Sequence, residues 1–90
     1  MSVTINIPPF IQNFTDKKGE MVATGKTVIE CLTELVEHFP RSKEYIFNEQ
    51  GKLLSHIGIF LNGDSLMTEE LGQEVHDGDH LAIVNLVAGG

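Results

Sequence analysis

Ninety residues suffice for one domain with a single modest core, and 41% hydrophobic with 21% charged residues exclude wholesale disorder. Six basic side chains against thirteen acidic ones leave a formal charge of -7, which disfavours nucleic acid and anionic membrane and favours a basic protein partner. No basic leader and no apolar run of membrane-spanning length occurs, so the expected compartment is the cytoplasm.

Val3, Ile5 and Ile7 alternate with Thr4 and Asn6, the period of a half-buried strand, and Pro8-Pro9 stops it. Phe10, Ile11 and Phe14 follow in a segment read as irregular. Asp16-Lys17-Lys18-Gly19 then predicts a hairpin turn into a second strand across Glu20 to Thr24.

Thr27-Val28-Ile29-Glu30 has the spacing of a capping box and opens a helix. Val28, Leu32, Leu35, Val36 and Phe39 make one apolar stripe of 3.6-residue period, with Glu30, Glu34 and Glu37 off it. Pro40 ends the helix, because the residue before proline is pushed out of helical geometry. Ser42 to Phe47 predicts a short helical turn and Asn48 to Gly51 a loop.

Ile57, Ile59 and Leu61 alternate with Gly58 and Phe60, and Asn62-Gly63 is a strong hairpin signal, so a third strand turns into a short fourth near Ser65 to Met67. Asp77-Gly78-Asp79 makes another turn, and the apolar run from His80 to Val87 predicts a central strand. The intervening chain is long enough for a crossover carrying the helix, so the first and last strands can pair in parallel. The segment after the last strand then leaves from the middle of the sheet. Residues 1–90 are read as one domain ending in a flexible Gly-Gly tail.

Among groups that could do chemistry, Cys31 falls inside the amphipathic helix with no visible activator and is expected to be an inert buried thiol. His76 and His80 bracket Asp-Gly-Asp, which is turn chemistry and breaks any helix that would align them, so no metal is expected. Glu69, Glu70 and Glu74 read as a solvated face that could also steer a basic partner. The last residues, Val87-Ala88-Gly89-Gly90, stand apart: two residues without Cβ make a thin strip able to thread a narrow channel, leaving the Gly90 carboxylate open to reaction. A frayed terminus is the plain alternative.

The order of elements, with Thr27-Val28 opening the helix, Leu61-Asn62-Gly63 ending a strand, Asp77-Gly78-Asp79 before the last strand and Ala88-Gly89-Gly90 at the end, resembles the ubiquitin-like sulfur carriers of the ThiS/MoaD type. The resemblance covers essentially the whole chain. It implies an α+β architecture, the β-grasp fold, with a mixed sheet of four to five strands and one main helix on one face. It also implies that Gly90 is adenylated by an E1-like activating enzyme using ATP and converted to a thiocarboxylate. Ala88 and Gly89 are then the thin tail, and a sulfur donor and a sulfur-accepting biosynthetic enzyme are the further partners. No intrinsic cofactor and no catalytic side chain are implied, and the free carrier is expected to be monomeric.

Val3-Thr4-Ile5-Asn6-Ile7-Pro8 and Val87-Ala88-Gly89-Gly90 look most like the carriers serving cysteine or homocysteine synthesis, with the molybdopterin and thiamin carriers as relatives. The chain departs from many relatives at Asn85, where they carry proline. A protein modifier conjugated through Gly90 and a plain β-grasp interaction module with an idle tail remain open as alternatives. For a docking face, strand alternation is the guide. If Ile57, Ile59, Leu61, Leu81 and Ile83 point under the helix, then Phe60, Ala82 and Val84 share the opposite face and are the candidate partner-docking residues.

Overall fold

The computed structural model describes residues 1–86. Its elements in chain order are β1 (Val3–Asn6), α1 (Pro9–Gln12), β2 (Glu20–Ala23), α2 (Val28–His38), a 3₁₀ segment (Pro40–Tyr45), β3 (Ile57–Leu61), β4 (Asp64–Leu66), a second 3₁₀ turn (Thr68–Glu70) and β5 (His80–Asn85). The five strands form one sheet in the order β2-β1-β5-β3-β4. β1 and β5 pair in parallel, and every other neighbouring pair is antiparallel. This is the expected mixed β-grasp sheet with one main helix.

Strand alternation sends one face of the sheet under α2. Val3 and Ile5 of β1, Ile59 of β3 and Leu81 and Ile83 of β5 are buried together with Val28, Leu32 and Leu35 of the helix, and Ile46 closes the core from the loop side. Two polar side chains are also buried, and both are satisfied by local carbonyls: Ser42 Oγ donates to Phe39 O at 2.7 Å and Thr15 Oγ1 to Lys18 O at 3.2 Å.

The start of α2 is held more tightly than a capping box alone would hold it. Thr27 Oγ1 accepts the Glu30 N–H at 3.2 Å, as the spacing predicts. The Glu30 carboxylate, however, reaches past Thr27 and accepts the N–H of Lys26 at 2.9 Å. The N–H groups of Val28 and Ile29 donate to the carbonyls of Gln73 and Leu71 at 3.0 and 2.8 Å, so the segment before β5 supplies the acceptors that an isolated helix start lacks. Phe39, with φ -127° and ψ 77°, leaves helical geometry just before Pro40.

Several sequence expectations shift in detail. The segment after Pro8-Pro9 is not irregular: proline at the first helical positions pre-sets φ, and four residues form α1 with only Ile11 buried. The hairpin turn closes one residue early, over Thr15 to Lys18, where the Lys18 N–H meets Thr15 O at 3.0 Å and Asp16 and Lys17 adopt φ of 54° and 62°. β2 ends at Ala23, one residue short, because the Thr24 N–H is taken by the Glu34 carboxylate at 2.9 and 3.1 Å. β4 runs over Asp64–Leu66 and stops before Met67, whose N–H donates to Glu70 Oε1 at 2.6 Å. Asn62 and Gly63 turn between β3 and β4 with φ of 50° and 87°, the pair of positive values their sequence predicts.

Candidate functional site

β5 lies third of five strands, between β1 and β3, so its far end at Asn85 sits in the middle of the sheet. The segment to which the sequence assigns the chemistry, Ala88, Gly89 and Gly90, lies outside the described residues. The described part of the site is the strand that leads to it and the sheet face beside that strand.

On that face the register places Phe60 opposite Ala82 and Gly58 opposite Val84. Their chain neighbours Ile57, Ile59, Leu61, Leu81 and Ile83 are buried on the helix side, so alternation turns Phe60, Ala82 and Val84 outward. The three sequence-predicted docking residues are therefore brought together, and each is half-buried.

One member of the face was missed by sequence reasoning. Leu86 continues the alternation of Ala82 and Val84 and is 56% exposed, although it lies one residue beyond β5. The signal was the period itself, extended by two. Thr4 of β1 separates this strip from Val22, the exposed apolar residue of edge strand β2, with which it is paired.

The opposite end of β5 is polar. Asp79 Oδ2 accepts the backbone N–H of His76 at 2.7 Å, and Asp79 Oδ1 accepts from the Asn62 side chain at 3.0 Å. These two bonds, the Asn62 one first, hold the Asp79 carboxyl below the usual carboxylate range. Asn62 Oδ1 in turn accepts the His80 N–H at 2.9 Å, so the two turns that flank β3 and β5 are tied to each other. Asp64, Glu70, Glu74 and Asp79 line a shallow concavity there of about 390 Å³, an acidic surface of the kind that attracts a basic partner.

Cys31 lies in the core with no exposure, its thiol 3.6 Å from the Gly25 carbonyl oxygen. Burial first, and the negative charge of Glu34 second, push the thiol pKa up, the reverse of what a nucleophilic cysteine needs. His76 and His80 sit on either side of the turn, with His76 Nδ1 3.9 Å from Asp79 Oδ2. Among the described residues no group of three or more His, Cys, Asp or Glu side chains could hold a metal ion. Among the same residues no helix is long and apolar enough to cross a membrane.

The ThiS family model matches residues 7–90. No curated protein matches the sequence, but solved structures do. A chain in the crystal structure of the Amycolatopsis orientalis BexX/CysO complex is 31% identical, with 98% of this chain and 99% of that chain covered and a TM-score of 0.86. SAMP1 from Haloferax volcanii is 25% identical over 100% of both chains, with a TM-score of 0.86. The small archaeal modifier protein 1 (SAMP1) from Methanosarcina acetivorans is 26% identical, with 99% of this chain and 96% of that chain covered and a TM-score of 0.83. A central strand running past a half-open apolar face, on a chain matched almost end to end by one family model, identifies this protein as a member of the ThiS family, a ubiquitin-like sulfur carrier or modifier of the ThiS/MoaD type.

Proposed function

We propose that this protein is a sulfur carrier, not itself an enzyme, and that its working group is the Gly90 carboxylate. The observation that carries the reading is the strip formed by Phe60, Ala82, Val84 and Leu86, which runs along the strand leading to the Gly-Gly segment. A partner seated on that strip receives the tail beside its own active site, with aromatic and aliphatic side chains as anchors. The partner is an E1-like activating enzyme. A carboxylate is a poor electrophile at neutral pH, so a Gly90 carboxylate oxygen first attacks the α-phosphorus of ATP and displaces pyrophosphate. Sulfide then attacks the acyl carbon, AMP leaves, and one oxygen of the carboxylate has been replaced by sulfur.

The thiocarboxylate is then delivered to a biosynthetic acceptor while tethered to a docked protein, where its effective concentration is high. Likeness to the BexX/CysO complex chain and the sequence's resemblance to the cysteine and homocysteine carriers favour an acceptor in that chemistry. The setting proposed is the cytoplasm. The SAMP1 likeness favours a second reading, a modifier whose activated Gly90 passes to a lysine of a target.

The test is intact mass after incubation with an activating enzyme, ATP and a sulfide source. A gain equal to sulfur for oxygen, lost when Gly90 is deleted, is the expected result, and equal charging of the deletion variant refutes it. An isopeptide-linked adduct in place of the thioacid selects the modifier. Phe60→Asp tests the face: binding to the activating enzyme should weaken while the melting temperature hardly changes, since Phe60 lies outside the buried core.

A further inference from the structure

Gly58 stands mid-strand in β3, where glycine forfeits a packing side chain and adds freedom to the unfolded chain. Its neighbours point into the core, so Gly58 faces the open side of the sheet, opposite Val84. It is buried nonetheless. What covers it is the side chain of Leu86: a Cβ built on Gly58 would meet Leu86 Cδ2, Cγ and Cδ1 at 2.9, 3.0 and 3.1 Å. The Leu86 N–H also donates to His56 O at 2.7 Å, which carries the β3–β5 pairing one residue past the end of the strand. Leu86 thus faces His56 across the ladder and leans diagonally onto the bare backbone of Gly58, a reach that long side chains have.

We propose that Gly58 and Leu86 form a latch that fixes where, and in which direction, the chain leaves the sheet, and that this positions Gly90 for activation; the functional half rests on the sulfur-carrier reading. The seat needs a glycine. Any side chain at position 58 occupies the space of the Leu86 isobutyl group, and the atoms that must give way are the far end of a flexible side chain rather than backbone. Leu86 therefore lifts off while β3 stays in place. With 56% of Leu86 exposed even when seated, its release removes little from the core.

Position matters because Gly90 lies only four residues beyond Leu86. Four residues beyond Leu86 span at most about 14 Å when extended. Releasing Leu86 moves the last anchored residue back to Asn85, still paired with Ile57, and adds roughly 3.5 Å of undirected chain to that reach. A misplacement of even about 1 Å can cost a reaction of this kind about a hundredfold. Gly58 and Leu86 are positioning residues, since neither touches the reacting carboxylate.

The experiment has two readouts on the full chain and its Gly58→Ala, Gly58→Val, Leu86→Ala and Gly58→Val/Leu86→Ala variants. Amide hydrogen exchange of the free proteins should show a protected Leu86 N–H in the wild type that loses protection in Gly58→Val, with Ile59 unchanged. Charging by the activating enzyme should be about tenfold slower in Gly58→Val at an unchanged or higher melting temperature, with Gly58→Ala intermediate and the double variant no slower than Leu86→Ala. Equal Leu86 protection in wild type and Gly58→Val overturns the latch. So does a double variant whose loss is the product of the two single losses, which is the pattern of two independent docking contacts. A wild type that never acquires sulfur removes the carrier reading and the functional half with it, while the exchange result still decides whether the latch exists.

Discussion

Glu34 Oε2 accepts the backbone N–H of Gly25 at 2.6 Å, binding the second turn of α2 to the chain that leaves β2. The same carboxylate accepts from the N–H and hydroxyl of Thr24, so one side chain satisfies a corner that has no ladder partner. Glu34→Ala should destabilise by about 1.5 to 3 kcal/mol, as hydrogen bonds to a charged group do, and Glu34→Gln by less because its carbonyl oxygen still accepts. Urea melts check this. Equal stability of Glu34→Ala and wild type would show that water replaces the carboxylate at no cost.

Leu32 is fully buried mid-helix, so Leu32→Ala should cost about 2 to 5 kcal/mol. Thr27→Ala should cost only about 1 kcal/mol or less. It removes one acceptor at a helix start whose neighbouring N–H groups are held by Gln73 and Leu71 carbonyls. Melts that rank the two the other way contradict this account of the helix.

Lys17 holds φ of 62°, a left-handed conformation uncommon for a residue with a Cβ. Asparagine tolerates that region better and lacks the chain entropy of glycine. Lys17→Asn should therefore raise stability by several tenths of a kcal/mol, read as an upward shift in the urea midpoint at constant slope. A downward shift would mean that the lysine side chain contributes more than its backbone strain costs.

The lowered pKa of Asp79 links stability to acid. Its folded value lies below the unfolded one, so its contribution is complete above about pH 4 and fades as pH falls toward the folded value. Asp79→Asn should flatten the acid limb of the stability curve in that range while leaving its shape near neutrality alone. An unchanged acid limb would assign the effect to other carboxylates.

Cys31→Ala should acquire sulfur as well as wild type, because the thiol is buried and its pKa is pushed up rather than down. A folded variant that cannot be charged would make the thiol part of the chemistry.

Legibility followed the length of each pattern. Ile57, Ile59 and Leu61 repeat often enough to fix a strand and its inner face, and Asn62-Gly63 fixes the turn because positive φ restricts residue choice. The docking strip came from the same alternation, and Leu86 escaped only because the pattern was not carried past Val84. α1 was invisible for a different reason: one buried residue, Ile11, in four has no period to detect. The bonds of Glu34 to Thr24 and Gly25 span ten and nine residues, and no local spacing rule encodes them. The cover over Gly58 is subtler still, since an unfilled strand position is the trace of a side chain arriving from another strand.

The parallel pairing of β1 with β5 also decides how the molecule bears a pull. Parallel neighbours begin at the same end, so a force drawing the far end of β5 outward against the near end of β1 slides the two strands lengthwise and loads their evenly spaced hydrogen bonds together. β3, bonded along the other edge of β5, resists the same sliding. Single-molecule stretching between Val3 and Asn85 should accordingly meet a higher rupture force than stretching across the β3–β4 hairpin, whose bonds open one at a time. A partner pulling on the far end of β5 would therefore load the sheet along its stiffest direction, as a mooring line loads its cleat.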